Sequence, residues 1–349
     1  MVDGFTYASP TLTKNYWLTH FHSDHYGGID KNWNCGTIYC SLPTANLVHE
    51  RLGVERTFLH PLGLNTPVVV ESMGKPVTVT LIDANHCPGA VMFLFQVGKR
   101  SVLHVGDFRW HREKMLSSPP LRALSLKDPQ LDDLYLDTTY CNEKYTLPTQ
   151  YDAIKAAVEY AVREVEHAKQ QRERLLLLFG AYTIGKERIY LSVAERLGMK
   201  VYVDSQRYKV LAALEWPKER LAMLTTKKEE STLWVVQLGH INMKAMPPYL
   251  YNLSKAKNPV QKFDRVVGFR PTGWSHKAGG SIISTAKRGQ LTVHSVPYSE
   301  HSAFPELLDC IRTLKPKRII PTVSVSKSQQ QIDLLLRHIN VRQRTLLEG

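Results

Sequence analysis

The chain has 349 residues, and at about 150 residues per domain that length holds two domains with sizeable cores. Hydrophobic residues at 43% and charged residues at 22% exclude a disordered, collagenous or disulfide-stapled chain. Lys and Arg number 45 against 32 acids, a formal charge of +13, so a polyanionic partner is indicated, either nucleic acid or an anionic membrane surface.

The N-terminal residues lack the apolar core of a signal peptide and no apolar run is long enough to cross a bilayer, which predicts an intracellular protein. Five cysteines, Cys35, Cys40, Cys87, Cys141 and Cys310, form no C-x-x-C pair. That predicts free thiols and argues against a cysteine-based zinc finger.

Residues 16–18 read as an apolar strand that runs into His20, His22, Asp24 and His25, with Gly27 and Gly28 allowing a tight turn behind them. In extended backbone His20 and His22 point the same way and can share one ion. Asp24 and His25, past the bend, are placed for a second ion beside it. Imidazole nitrogen and carboxylate oxygen suit zinc and similar divalent cations.

Residues 76–82, 90–95, 101–105 and 134–136 read as buried strands ending in polar loops. His86, Asp107 and Asp137 each follow such a strand, and His301 follows the central segment. The polar ends of apolar strands are where sheet-based sites collect their ligands. From residue 151 to about 172 the pattern is an amphipathic helix; then come strand 174–179, a loop, helix 186–197 and strand 200–203. This is a βαβ unit of the doubly wound kind.

Positive charge is unevenly spread. Residues 143–298 hold 25 Lys/Arg and 14 Asp/Glu, a net of +11, which leaves +2 for the rest. A lysine-rich solvated surface is one reading, and a phosphate-gripping module beside a near-neutral catalytic one is the other. Within this segment Gly180 to Lys186 fits G-x-x-x-x-G-K between a strand and a helix, but Glu187 stands where a P-loop needs Ser or Thr. That argues against a nucleoside triphosphatase and leaves Thr183, Gly185 and Lys186 as a candidate anion-binding helix start. A helix simply capped by Thr183, with an exposed lysine, is the alternative. Arg270 and Trp274 offer a cation and a stacking ring, although a tryptophan buried at a domain boundary fits equally.

Eight motifs occur in order along nearly the whole chain: Val2-Asp3-Gly4-Phe5; T-H-F-H-S-D-H at residues 19–25; N-H-C-P-G at 85–89; G-D-F-R at 106–109; L-D-T-T-Y-C at 136–141; T-I-G-K-E at 183–187; F-R-P-T-G-W at 269–274; and Y-S-E-H-S at 298–302. The combination resembles the metallo-β-lactamase fold in its β-CASP variant, closest to the SNM-type, Artemis/Apollo-like DNA interstrand cross-link repair branch. The resemblance implies an α/β protein: an αββα metallo-β-lactamase sandwich (1–142 and 299–349) with an inserted basic β-CASP α/β domain (143–298). Family members carry residues before their first aspartate, and Asp3 stands third here, so the expectation is a first module without its N-terminal hairpin.

The resemblance further implies a metal-dependent DNA nuclease, a 5′-to-3′ exonuclease serving cross-link repair in the nucleus, without a membrane partner. His20, His22, His86 and Asp107 would hold a first ion, zinc. Asp24, His25 and Asp107 would hold a second, Zn²⁺ or Mg²⁺, more weakly. Asp3 would orient ligands from outside. Such ions lower the pKa of water and neutralise charge at phosphorus. Asp24, His301 and Asp137 are the catalytic candidates, His301 as the acid that protonates the departing oxygen and Asp137 as its orienting partner. RNA-cleaving relatives complete the second site with a histidine where Val323 stands, so Val323 favours DNA over RNA. The alternatives are an RNA-processing endonuclease or a small-molecule metallo-hydrolase of the same fold; the latter lacks a basic insert.

Overall fold

The computed structural model describes residues 1–126, 131–251, 263–273 and 282–345. The chain forms two units, one of residues 1–146 and 300–349, the other of residues 147–299.

In chain order, the strands of the first unit begin with β1 (Asn15–Trp17), β2 (Thr37–Cys40) and β3 (Leu59–Pro61), which form a parallel three-stranded sheet in that order. Next come β4 (Val68–Ser72), β5 (Lys75–Asp83), β6 (Val91–Val97), β7 (Arg100–His104) and β8 (Leu131–Leu136). The second unit supplies β9 (Leu175–Ala181), β10 (Val201–Tyr202), β11 (Leu224–Thr225), β12 (Leu233–Gln237), β13 (Arg265–Pro271), β14 (Ser284–Arg288) and β15 (Leu291–Val296). The chain then returns to the first unit with β16 (Pro316–Pro321), which completes a six-stranded sheet of order β16-β8-β7-β6-β5-β4.

The two sheets of the first unit meet through one apolar cluster: Trp17 from β1, Leu62 beyond β3, and Val70, Val79, Leu81, Val91 and Phe93 from β4 to β6. Trp17 is stacked on Tyr39 at 4.4 Å and edge-on to Phe93 and Phe95. Rings of this size bury the most apolar area per residue, so the sequence spends its aromatics where the sheets face.

Strand direction decides where the polar ends fall. β5 and β6 are antiparallel, as are β6 and β7, so β5 and β7 run the same way. β8 is parallel to β7, and β16 to β8, with Pro321 opposite Leu136. The loops after β5, β7, β8 and β16 therefore leave one edge of the sheet. β1 reaches the same edge, because the Val91 amide at the start of β6 donates to the Thr19 carbonyl at 2.9 Å.

The second unit is a seven-stranded sheet of order β11-β10-β12-β9-β13-β15-β14, parallel except for β14. The helix Glu187–Leu197 links β9 to β10, two positions away in that sheet. Its core holds Leu176, Leu178, Trp234, Phe263, Val266 and Val293. A 22-residue helix, Gln150–Gln171, buries a face of alanines, Ala153, Ala156, Ala157, Ala161 and Ala168, which lets it lie close to its neighbours.

Candidate metal centre

The centre is built where the strands of the first unit end. After β1 the chain leaves the sheet through Leu18–His20 and bends at Phe21, and His22, itself in extended backbone, caps the short helix Ser23–Tyr26. His20 and His22 meet there, His20 Nε2 lying 2.9 Å from His22 Nδ1. The loop after β5 brings His86 Nε2 to 3.2 Å from His22 Nδ1, while His86 Nδ1 donates to the Glu300 carbonyl at 2.8 Å. That bond fixes the tautomer and aims Nε2 at the cluster.

Asp107 follows β7. Its Oδ2 lies 3.3 Å from His25 Nε2, 3.7 Å from His20 Nε2, 3.8 Å from His86 Nε2 and 3.9 Å from His301 Nε2. One oxygen thus faces four imidazoles. Gly106 makes this approach possible: at φ +57 a Cβ would stand 2.7 Å from Thr19 Cβ.

Among the described residues three donor sets lie within 4.8 Å: His20, His22, His86 and Cys87; His20, His25 and Asp107; and His86, Asp107 and His301. Asp24 stands outside all three. Its side chain is 78% exposed and its Oδ2 lies 3.8 Å from His25 Nε2, so the structure leaves it at the rim.

Electrostatics fit a cation. His20 is wholly buried, and burial, reinforced by His86, His25 and His22, holds its pKa well below the usual value. It is neutral at ordinary pH, the form that ligates a metal. Burial also works against charge on His25, but hydrogen bonds to Asp107 and Asp3 outweigh it and hold its pKa at about 11. The two carboxylates draw positive charge between them. A divalent ion satisfies the same demand, and the clustered imidazoles and carboxylate are the donor types it takes.

Asp3 belongs to none of the three donor sets. It accepts from the Thr19 amide at 2.9 Å and the Thr19 hydroxyl at 2.7 Å, and pairs with His25 Nδ1 at 2.8 Å. Its left-handed φ of 49° turns the carboxylate back onto Thr19. His301 Nδ1 lies 2.8 Å from Asp137 Oδ2. Asp137 is 1% exposed; burial opposes its charge, but His301 and Thr139 keep its carboxyl below the usual range. It is an ionised acceptor that fixes the ring.

Val323 follows β16 at the same sheet edge, and its carbonyl accepts from Thr138 Oγ1 at 3.1 Å. Its side chain offers nothing to a metal.

In the second unit the candidate anion site differs from the sequence expectation. Lys186 is not the first helical residue but the cap, in left-handed backbone at φ 74. It is buried rather than exposed, its Nζ 5.3 Å from the Tyr298 ring. The Gly185 amide donates to Glu187 Oε1 at 2.8 Å, so the helix's own carboxylate takes the group a phosphate would use. Thr183 does not cap the helix. Arg270 donates through Nη2 to Ser295 Oγ at 3.0 Å while its buried Nε has no partner. Trp274 lies outside the described residues.

Sequence reasoning missed Cys87, Thr19 and Gly106. The cysteine stood in a quoted motif, but only distance shows its place among the imidazoles.

Residues 17–141 match the metallo-beta-lactamase superfamily, and residues 218–327 match the family described as DNA repair metallo-beta-lactamase. The mouse DNA cross-link repair 1A protein is 38% identical over 93% of this chain and 30% of its own length. The Arabidopsis thaliana DNA cross-link repair protein SNM1 is 36% identical over 93% of this chain and 63% of its own. The chicken 5′ exonuclease Apollo is 31% identical over 88% and 58%. The chain thus spans between about a third and two thirds of these relatives. A solved Enterococcus faecalis protein of unknown function shares the fold at a TM-score of 0.51, with 16% identity over 91% of this chain and 77% of that one.

Proposed function

The chain belongs to the metallo-β-lactamase superfamily, in its DNA-repair branch, and from that premise we propose that it is a metal-dependent hydrolase cutting phosphodiester bonds of DNA from the 5′ end. The observation that carries the reading is Asp107 Oδ2, one carboxylate oxygen within 3.9 Å of four imidazoles at a single sheet edge. The names of the relatives, cross-link repair proteins and a 5′ exonuclease, support the substrate and the polarity. The reading includes a role in cross-link repair, which the names of the relatives support, and places that role in the nucleus, where the DNA is. No helix among the described residues is long and apolar enough to cross a membrane.

In this reading His20, His22, His86 and Asp107 hold zinc, and His25 and Asp107, with Asp24 from the rim, hold a second divalent ion more weakly. Divalent ions so held supply a water of lowered pKa and charge neutralisation at the phosphate. Asp3 orients His25 through Nδ1. Asp137 accepts from His301 Nδ1, which leaves Nε2 facing the centre to give a proton to the departing 3′ oxygen. Lys186, Thr183 and Arg270 of the basic unit are the proposed phosphate contacts, whereas the Gly185 amide is already taken by Glu187.

The test is cleavage of labelled single-stranded DNA and RNA bearing 5′ phosphate or 5′ hydroxyl, with Zn²⁺ or Mg²⁺ supplied. Shortening of 5′-phosphorylated DNA from its 5′ end, abolished by Asp107→Ala, is expected. Equal cutting of RNA, or activity that survives the substitution, overturns the proposal.

A further inference from the structure

Thr19 stands directly before the first histidine of the cluster and is 1% exposed. Its hydroxyl lies between two groups: Oγ1 donates to Asp3 Oδ2 at 2.7 Å and is 2.9 Å from His20 Nδ1. Asp3 Oδ2 also meets His25 Nδ1 at 2.8 Å, and Asp3 Oδ1 accepts from the Thr19 amide at 2.9 Å. One carboxylate is thus linked to His25 directly and to His20 through a single hydroxyl.

That link has a direction, because a threonine hydroxyl has one proton to donate. With the proton on the bond to Asp3, Oγ1 meets His20 Nδ1 only as an acceptor, so Nδ1 carries the ring N–H. A ligating imidazole has one N–H, which leaves the lone pair on Nε2. Nε2 is the atom that faces the cluster, 2.9 Å from His22 Nδ1 and 3.7 Å from Asp107 Oδ2. His20 is wholly buried, so an Nδ1–H deprived of Oγ1 would be left unsatisfied. The ring would relieve this by carrying its proton on Nε2, where His22 Nδ1 can accept it, and that tautomer blocks the ligating atom.

We propose that Thr19 is a positioning residue whose hydroxyl holds His20 in the Nδ1–H tautomer with Nε2 open to an ion, an inference that rests on the metal-centre reading above. Asp3 does the same for His25 through its own bond to Nδ1, so one carboxylate sets a histidine at each of the two ions. Packing alone ranks two variants the other way. Thr19 Cγ2 lies 2.8 Å from where a Cβ at Gly106 would stand, so the methyl fills the space that the glycine leaves. Thr19→Val keeps that shape and loses the hydroxyl, whereas Thr19→Ser keeps the hydroxyl and loses the methyl.

The test has two readouts on the metal-stripped full chain: Zn²⁺ affinity, by competition with a chromophoric chelator, and the tautomer of His20, by nitrogen NMR of isotopically labelled histidine. The His20 signals are identified as those lost in His20→Gln. The unsubstituted chain and Thr19→Ser are expected to carry the His20 proton on Nδ1 and to bind Zn²⁺ alike. Thr19→Val is expected to lose the Nδ1–H signal and to bind Zn²⁺ ~10–100-fold more weakly. Undiminished binding by Thr19→Val, weaker binding by Thr19→Ser than by Thr19→Val, or an Nε2–H on His20 in the unsubstituted chain overturns the role of Thr19 and leaves the metal centre standing. No Zn²⁺ binding by the unsubstituted chain refutes the metal centre and Thr19 with it. Should Thr19→Val fail to fold, the tautomer decides: Nδ1–H in both the unsubstituted chain and Thr19→Ser supports the proposal, and Nε2–H in either overturns it.

Discussion

His301 commits its two ring nitrogens to different neighbours. Nδ1 meets Asp137 at 2.8 Å, and Asp137 is in turn fixed by the Thr139 amide at 3.0 Å and the Thr139 hydroxyl at 2.6 Å. Nε2 looks toward Asp107 at 3.9 Å, where it could ligate an ion or donate a proton. The two roles separate by measurement. As a proton donor, His301→Gln lowers kcat by ~10²–10⁴-fold while metal content stays at the wild-type level in atomic emission. Metal loss parallel to the loss of activity would make His301 a ligand instead. Residues of this kind were legible without a structure, because His20, His22, His86, Asp107 and His301 each stand at a polar strand end. Thr19 was not. Its value lies in holding Asp3 through both amide and hydroxyl, a contact sixteen residues away in sequence.

At the scale of elements, strands with strong apolar character announced themselves: 76–82 became β5 (Lys75–Asp83) and 90–95 became β6 (Val91–Val97). The sheet of β1, β2 and β3 carries less signal, since its strands have three or four residues and their pairing is long-range. The start of the helix Glu187–Leu197 was misplaced by a residue for a local reason. Lys186 adopts left-handed backbone, which no propensity of lysine announces, and Glu187 turns back to the Gly185 amide. The long helix Gln150–Gln171 has a conventional start, in which Thr149 Oγ1 accepts from the Asp152 amide at 3.0 Å and the hydroxyl donates to Asp152 Oδ2 at 2.6 Å. Thr149→Ala removes that cap and costs ~0.5–2 kcal/mol. A lower urea midpoint at unchanged slope, followed by far-ultraviolet dichroism, checks it. Metal content should not change, since the helix belongs to the second unit and the donors to the first.

Over the whole molecule, charge and chemistry are assigned to different parts of one chain. The unit of residues 147–299 holds 24 Lys/Arg and 13 Asp/Glu, a net of +11, and the unit with the donor sets is left with +2. That partition was readable from sequence, because charge sums need no geometry; the identity of the phosphate-contacting groups was not, as the Gly185 amide shows. Binding and cleavage should therefore come apart. Removing metal with a chelator abolishes cleavage but changes the affinity for single-stranded DNA by no more than about threefold, because counterion release rather than ligation drives the binding. The logarithm of the binding constant then falls linearly with the logarithm of salt concentration, by ~0.7 for each phosphate neutralised. Arg270, a cation of the basic unit, is a single-residue test. If it meets a phosphate, Arg270→Ala makes the salt dependence shallower by ~0.7 without changing metal content. A salt dependence that Arg270→Ala leaves intact removes Arg270 from the interface, and affinity that collapses with the metal relocates DNA binding to the metal-bearing unit.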